Sequence, residues 1–86
     1  MASYEIEVNR TAEKQLARLP RRDRERVVEA ILLLADEPRP RGARKLKGQG
    51  AVYRIRVGKI RILYSVEDGR LTILILKIGN RGDVYE

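Results

Sequence analysis

The sequence has no cysteine and no histidine. Without cysteine there is neither a disulfide framework nor a thiolate metal site, and a reducing cytoplasm is the natural setting. Without histidine the chain lacks the usual zinc ligand and the usual proton carrier of neutral pH, so any catalysis falls to Arg, Lys, Tyr or carboxylates. No apolar run is long enough to span a bilayer, and the opening MASYEIEVNR has no signal-peptide core, so no membrane role is expected. There is no internal repeat, no phosphate-binding or dinucleotide glycine pattern, and no carboxylate pair at a metal-binding spacing. Neither a cofactor nor a metal is therefore expected. Negative charge is also in deficit: nineteen Lys and Arg face twelve Asp and Glu, for a net charge of +7 and a pI near 10.2. A polyanionic partner is indicated, either nucleic acid or an acidic protein. The 86 residues suffice for one domain with a modest stability margin.

What is present is organised around Ala51 to Ile78, AVYRIRVGKIRILYSVEDGRLTILILKI, which reads as three antiparallel strands and two tight turns. Tyr53, Ile55 and Val57 alternate with Arg54 and Arg56. Gly58-Lys59 has glycine where a type II′ hairpin turn wants it. If that turn sets the register, Val57 pairs with Ile60, Arg56 with Arg61 and Arg54 with Leu63. Two arginines then oppose each other on the face that carries a third. Like charges so placed cost roughly a few tenths of a kcal/mol, so the arrangement points to an anionic ligand. Tyr53, Ile55, Val57, Ile60, Ile62 and Tyr64 form the opposite, apolar face. Asp68-Gly69 signals a type I′ turn, with Glu67 and Asp68 serving it. The run from Leu71 to Ile78 is apolar on both faces, as in a central strand covered on both sides.

Upstream, Tyr4 to Val8 alternates as a short strand, and Asn9 or Thr11 caps a helix through about Arg18 with Ala12, Leu16 and Leu19 on one stripe. Pro20 separates it from a second helix, from about Arg21 to Asp36, whose apolar side is Val27, Val28, Ile31, Leu32, Leu34 and Ala35. Its mixed charges from Arg21 to Arg26 read as a solvated face. The two helices are the expected cover for the apolar side of the sheet. Glu37 to Gly50 is a connection rich in Pro, Gly and cations. From Arg39 to Arg61 there are nine cations and no acid: Arg39, Arg41, Arg44, Lys45, Lys47, Arg54, Arg56, Lys59 and Arg61. In the tail, GNRGDVYE, Val84-Tyr85 reads as a brief closing edge strand, and Arg81 and Tyr85 follow closely on the central strand.

The order and spacing of K-L-K-G (Lys45 to Gly48), Y-R-I-R-V-G-K-I-R-I-L-Y (Tyr53 to Tyr64), E-D-G-R-L-T-I-L-I-L and G-N-R-G-D-V-Y make the chain resemble the RelE/ParE superfamily of bacterial and archaeal toxins over nearly its whole length. The resemblance implies an α+β fold, with an N-terminal strand and a two-helix hairpin packed on one face of an antiparallel sheet of about four strands. It implies a type II toxin-antitoxin module, hence a hetero-oligomer with a cognate antitoxin; the net charge of +7 and the part-apolar basic groove call for an antitoxin segment that is acidic and amphipathic, laid over Arg54, Arg56 and Arg61. Two activities occur in the superfamily: RelE-type cleavage of messenger RNA in the ribosomal A site, and ParE-type poisoning of DNA gyrase without catalysis. The RelE-type site falls on Arg54, Arg56, Arg61, Arg81 and Tyr85, with Arg44, Lys45, Lys47 and Lys59 as further RNA-binding cations. Arginine stands at Arg54 and Arg56 where some members have lysine, and Asn80 replaces a His or Lys often found before the tail arginine. Arginine does not readily act as a base. Tyr85 is therefore the candidate base, since neighbouring guanidinium groups favour a phenolate.

Overall fold

The computed structural model describes residues 3–48 and 50–80. Strand β1 (Glu5–Val8) runs into Asn9, whose side chain accepts the Ala12 N–H at 2.8 Å and so starts helix α1 (Arg10–Arg18). Leu19 and Pro20 are extended, and Pro20 stands at the N-terminus of helix α2 (Arg21–Leu34), where its missing N–H costs nothing. The connection that follows contains a two-residue strand, β2 (Arg44–Lys45), which the sequence does not announce. Strands β3 (Val52–Val57) and β4 (Ile60–Glu67) form the expected hairpin, and β5 (Thr72–Asn80) returns beside β4.

The sheet has five strands in the order β1-β5-β4-β3-β2 rather than about four. It is mixed, because β1 pairs with β5 in parallel while every other pair is antiparallel. The β3–β4 register is the one set by the turn: Val57 opposite Ile60, Arg56 opposite Arg61, Arg54 opposite Leu63. Gly58 has φ +62 whereas Lys59 does not enter positive φ, the signature of a type II′ turn. The second turn departs from expectation. Asp68–Arg70 forms a 3-10 turn, and Leu71 takes the left-handed conformation at φ 49 that a type I′ turn would have required of glycine. Its carbonyl accepts the Glu5 N–H at 2.8 Å, so the strained residue is tied to the start of β1.

The helices cover one face of the sheet. Ala12 from α1 and Val27, Ile31 and Leu34 from α2 meet Ile55, Ile60, Ile62, Tyr64, Ile73, Ile75 and Ile78 in one cluster, with Leu16 and Leu19 half-buried at its margin. Burial of each large aliphatic side chain there contributes about 1.5–3 kcal/mol. Alternation fixes which side of each strand enters this core, and polar positions are left to the other face. One expectation fails on α2: Val28 and Leu32 point out of the core, and Leu32 and Leu33 are 61 % and 63 % exposed. A 14-residue helix presents one stripe to a sheet, and Val27, Ile31 and Leu34 occupy it.

Candidate active site

Directly paired strand residues project to the same face, so the register traces the surface opposite the helices. One row crosses the sheet as Arg44, Arg54, Leu63 and Lys77; the next contains Arg56, Arg61 and Gly79. Of the expected catalytic set, Arg54, Arg56 and Arg61 are therefore brought together, and Arg44 joins them from β2. Arg54 is buried at 7 % exposure, Arg61 is half-buried and Arg56 is exposed. Leu63, 5 % exposed, lies between Arg54 and Lys77 as the buried apolar member of that row. Guanidinium groups gathered in this way can hold a phosphate through charge-assisted, bidentate hydrogen bonds, with Lys77 as a further point charge.

The other expected residues are more scattered. Lys45 pairs with Tyr53 and so lies on the helix side of the sheet at its edge. Lys47 sits in the turn after β2 and Lys59 in the β3–β4 turn; both are exposed, and neither belongs to the two rows. Arg81, Tyr85 and the expected edge strand at Val84-Tyr85 lie outside the described residues. Lys77 was not among the sequence candidates. Simple alternation from Ile73 and Ile75 would have turned it toward the core, and only the observed pairing reveals its side.

A second polar cluster sits on the helix side and is structural. Arg39, one cation of the loop run, gives Nη2 and Nη1 to the two oxygens of Asp68 at 2.7 and 3.2 Å, gives Nε to the Tyr53 hydroxyl at 2.9 Å, and lies 5.2 Å from the Tyr53 ring centroid. The Tyr4 hydroxyl donates to Asp68 Oδ1 at 2.6 Å. These bonds, those from Arg39 foremost, hold the Asp68 carboxyl below its ordinary range, while the bond to Asp68 pushes the Tyr4 phenol up. Asp68 thus does more than serve its turn: it ties the start of β1 to the loop after α2. Beneath it, Tyr64 stacks on Tyr53 at 5.9 Å and donates to the Pro38 carbonyl at 2.7 Å. Burial pushes the Tyr64 phenol up to about 12.

A groove of about 520 Å³ opens between the end of α2, the loop after it and β3, bounded by Ala30, Leu33, Pro40, Ile55 and Arg56. It meets the cationic face only at Arg56. Among the described residues no group of three or more His, Cys, Asp or Glu side chains is placed to hold a metal ion, and no helix is long and apolar enough to cross a membrane.

A helical hairpin behind a sheet whose open face gathers arginines defines a small basic α+β domain of the RelE type. The model of the ParE toxin family of type II toxin-antitoxin systems matches residues 6–85. A putative toxin RelE1 of Methanocaldococcus jannaschii is 33 % identical over 86 residues, 96 % of each chain. Toxin RelG of Mycobacterium tuberculosis is 32 % identical over 95 % of each. Among solved structures, the toxin of the RelE–RelB complex from Pyrococcus horikoshii superposes with a TM-score of 0.83 at 34 % identity, covering 95 % of this chain and 99 % of that one. The isolated Escherichia coli RelE toxin shares the fold at a TM-score of 0.80, with 22 % identity over 91 % of this chain and 84 % of that one. The chain belongs to the RelE/ParE superfamily and is a toxin of a type II toxin-antitoxin system.

Proposed function

We propose that this toxin is a metal-independent endoribonuclease that cleaves messenger RNA in the ribosomal A site. The observation that carries the reading is the direct opposition of Arg56 and Arg61, with Arg54 in the adjoining row. Guanidinium groups gathered in this way match the charge and the planar, bidentate geometry of a phosphate. Cleavage requires the 2′-hydroxyl to attack the adjacent phosphorus in line while charge grows on the phosphoryl oxygens. Arg54 and Arg61 hold the phosphate, Arg56 and Arg81 stabilise the developing charge, and Tyr85 accepts the 2′ proton. Arg44, Lys45, Lys47 and Lys59 contact flanking RNA. Lacking histidine, the toxin depends on the ribosome to present the substrate in a reactive geometry.

The partner that restrains it is a cognate antitoxin, as in the RelB complexes of its relatives. An acidic amphipathic segment fits two adjoining features: the exposed Leu32 and Leu33 beside the groove, and Arg56 at the groove's end. Binding there withdraws Arg56 from RNA.

The test is induction in cells with primer extension on a defined transcript, alongside incubation of purified toxin with naked RNA. Codon-phased cuts within translated regions and near-inertness on naked RNA are expected. Intact transcripts with gyrase-trapped DNA breaks would establish the ParE-type activity instead, and efficient cleavage of free RNA would remove the ribosome from the mechanism.

A further inference from the structure

Strand β5 changes face partway along its length. Ile73 and Ile75 are 0 % exposed and turned to the helices, and strict alternation would send residue 77 the same way. The register slips instead: Tyr64 pairs with Ile75, but Leu63 pairs with Lys77, so that Leu76 is an extra residue in the strand. Beyond the slip it is Ile78, 1 % exposed and opposite Ile62, that enters the core. Lys77 emerges exposed on the arginine face. Bulges of this kind disrupt the ladder and re-aim a side chain. Here the effect is to set one ammonium group beside a cluster of guanidinium groups.

Its position suits a particular step. Lys77 is the diagonal neighbour of Arg61, whose direct partner on β5, Gly79, brings no side chain of its own. Arg54 and Lys77 flank Leu63 from the strands on either side, about 10 Å apart at the backbone. A phosphate held by Arg61 has Arg54 and Lys77 in the adjoining row, on the strands to either side. In-line displacement removes a proton on one side of phosphorus and delivers one on the other. Guanidinium groups keep their protons, whereas an ammonium can give one up. The other titratable side chains on this face, among the described residues, are Glu67, paired with Arg70 at 3.0 Å, and Glu5 and Glu7 on the distant edge strand.

Building on the ribonuclease reading, we propose that Lys77 is the general acid. As the bond from the 2′-oxygen to phosphorus forms and the bond from phosphorus to the 5′-oxygen breaks, Lys77 Nζ passes a proton to the departing 5′-oxygen. The 2′-hydroxyl proton goes to the base. The products are a 2′,3′-cyclic phosphate and a 5′-hydroxyl, and the neutral Lys77 amine recovers its proton from water.

The test uses Lys77→Arg, which keeps the positive charge but does not release a proton, in single-turnover cleavage on programmed ribosomes. Two messengers are compared, one normal and one with sulfur in place of the bridging 5′-oxygen at the cleavage site, because a thiolate departs without being protonated. The variant should cleave the normal messenger about 100-fold more slowly than wild type or worse, yet cleave the sulfur messenger within a few-fold of wild type. Circular dichroism and a urea midpoint establish that it is folded. A near-normal rate on the oxygen messenger, or an equal defect on both, overturns the assignment and leaves Lys77 as a charge that positions the phosphate. Wild-type toxin that leaves both messengers intact overturns the ribonuclease reading, and this inference with it.

Discussion

Replacing Tyr64 by Phe should invert its own effect on stability as pH rises. The Tyr64 ring is 0 % exposed, and its hydroxyl donates to the Pro38 carbonyl at 2.7 Å. Near neutral pH the substitution removes that bond and costs about 1 kcal/mol. Alkaline pH reverses the comparison. Burial raises the folded phenol to about 12, with a smaller contribution from Tyr53, whereas an unfolded tyrosine titrates near about 10. The neutral form is favoured by folding, so this stabilisation is whole below the unfolded value and is lost as pH climbs through the folded one. The two-unit gap corresponds to about 2.7 kcal/mol at the limit and about half of that at pH 11. The variant has no such loss. Wild type should therefore be the more stable protein at pH 8, the two should be level near about pH 11, and the variant should be ahead by about 1 kcal/mol at pH 12. Urea unfolding followed by circular dichroism across this range measures the difference directly, and lysine titration, common to both proteins, cancels. A difference that stays constant from pH 8 to pH 12 would show that the phenol is not desolvated in the fold, and the reasoning would be refuted.

Arg61→Ala should keep the circular dichroism spectrum of the fold while ribosomal cleavage falls by about 100-fold, the effect of losing one transition-state donor; loss of that spectrum would make Arg61 structural instead. Asp68→Asn should flatten the acid limb of the stability curve, because a carboxyl held low by Arg39 and Tyr4 contributes above its unfolded value of about 3.9 and loses that contribution as pH falls through the lower folded one. An unchanged acid limb in thermal melts from pH 6 to pH 2 would dismiss the pairing. Leu33→Glu should leave the fold and cleavage intact, since the side chain is 63 % exposed, but should weaken antitoxin binding by tenfold or more in calorimetry; unaltered affinity would move the antitoxin elsewhere.

The hairpin from Val52 to Glu67 was legible because three local signals agree there: strict alternation, a glycine at the turn, and a register that both imply. The same logic found the arginine face. It broke down where local signals compete with tertiary ones. Asp68-Gly69 has the composition of a tight turn, yet Leu71 carries the left-handed conformation, and its carbonyl is held by Glu5 from the edge strand β1. Arg39 looked like one loop cation among several, since its partner Asp68 is 29 positions away. Lys77 was invisible because a bulge erases the parity on which alternation depends. Val28, Leu32 and Leu33 were apolar by composition, but the helix has one core-facing stripe and they lie off it.

The parallel pairing of β1 with β5 bears on the toxin's birth. Glu5 waits for Thr72 and Val8 for Ile75, contacts separated by most of the chain, and such long-range closure slows folding. At about 5–20 residues per second of synthesis, the N-terminal strand spends several seconds without its ladder after the helices that it leads into have been synthesised. β5 also supplies the core with Ile73, Ile75 and Ile78, and its Ile78 N–H is taken by Gln15 of α1 at 2.7 Å. The cationic face is thus completed by β5, the last of the described strands to be synthesised, so a nascent copy carries most of that face's charge before it has its shape.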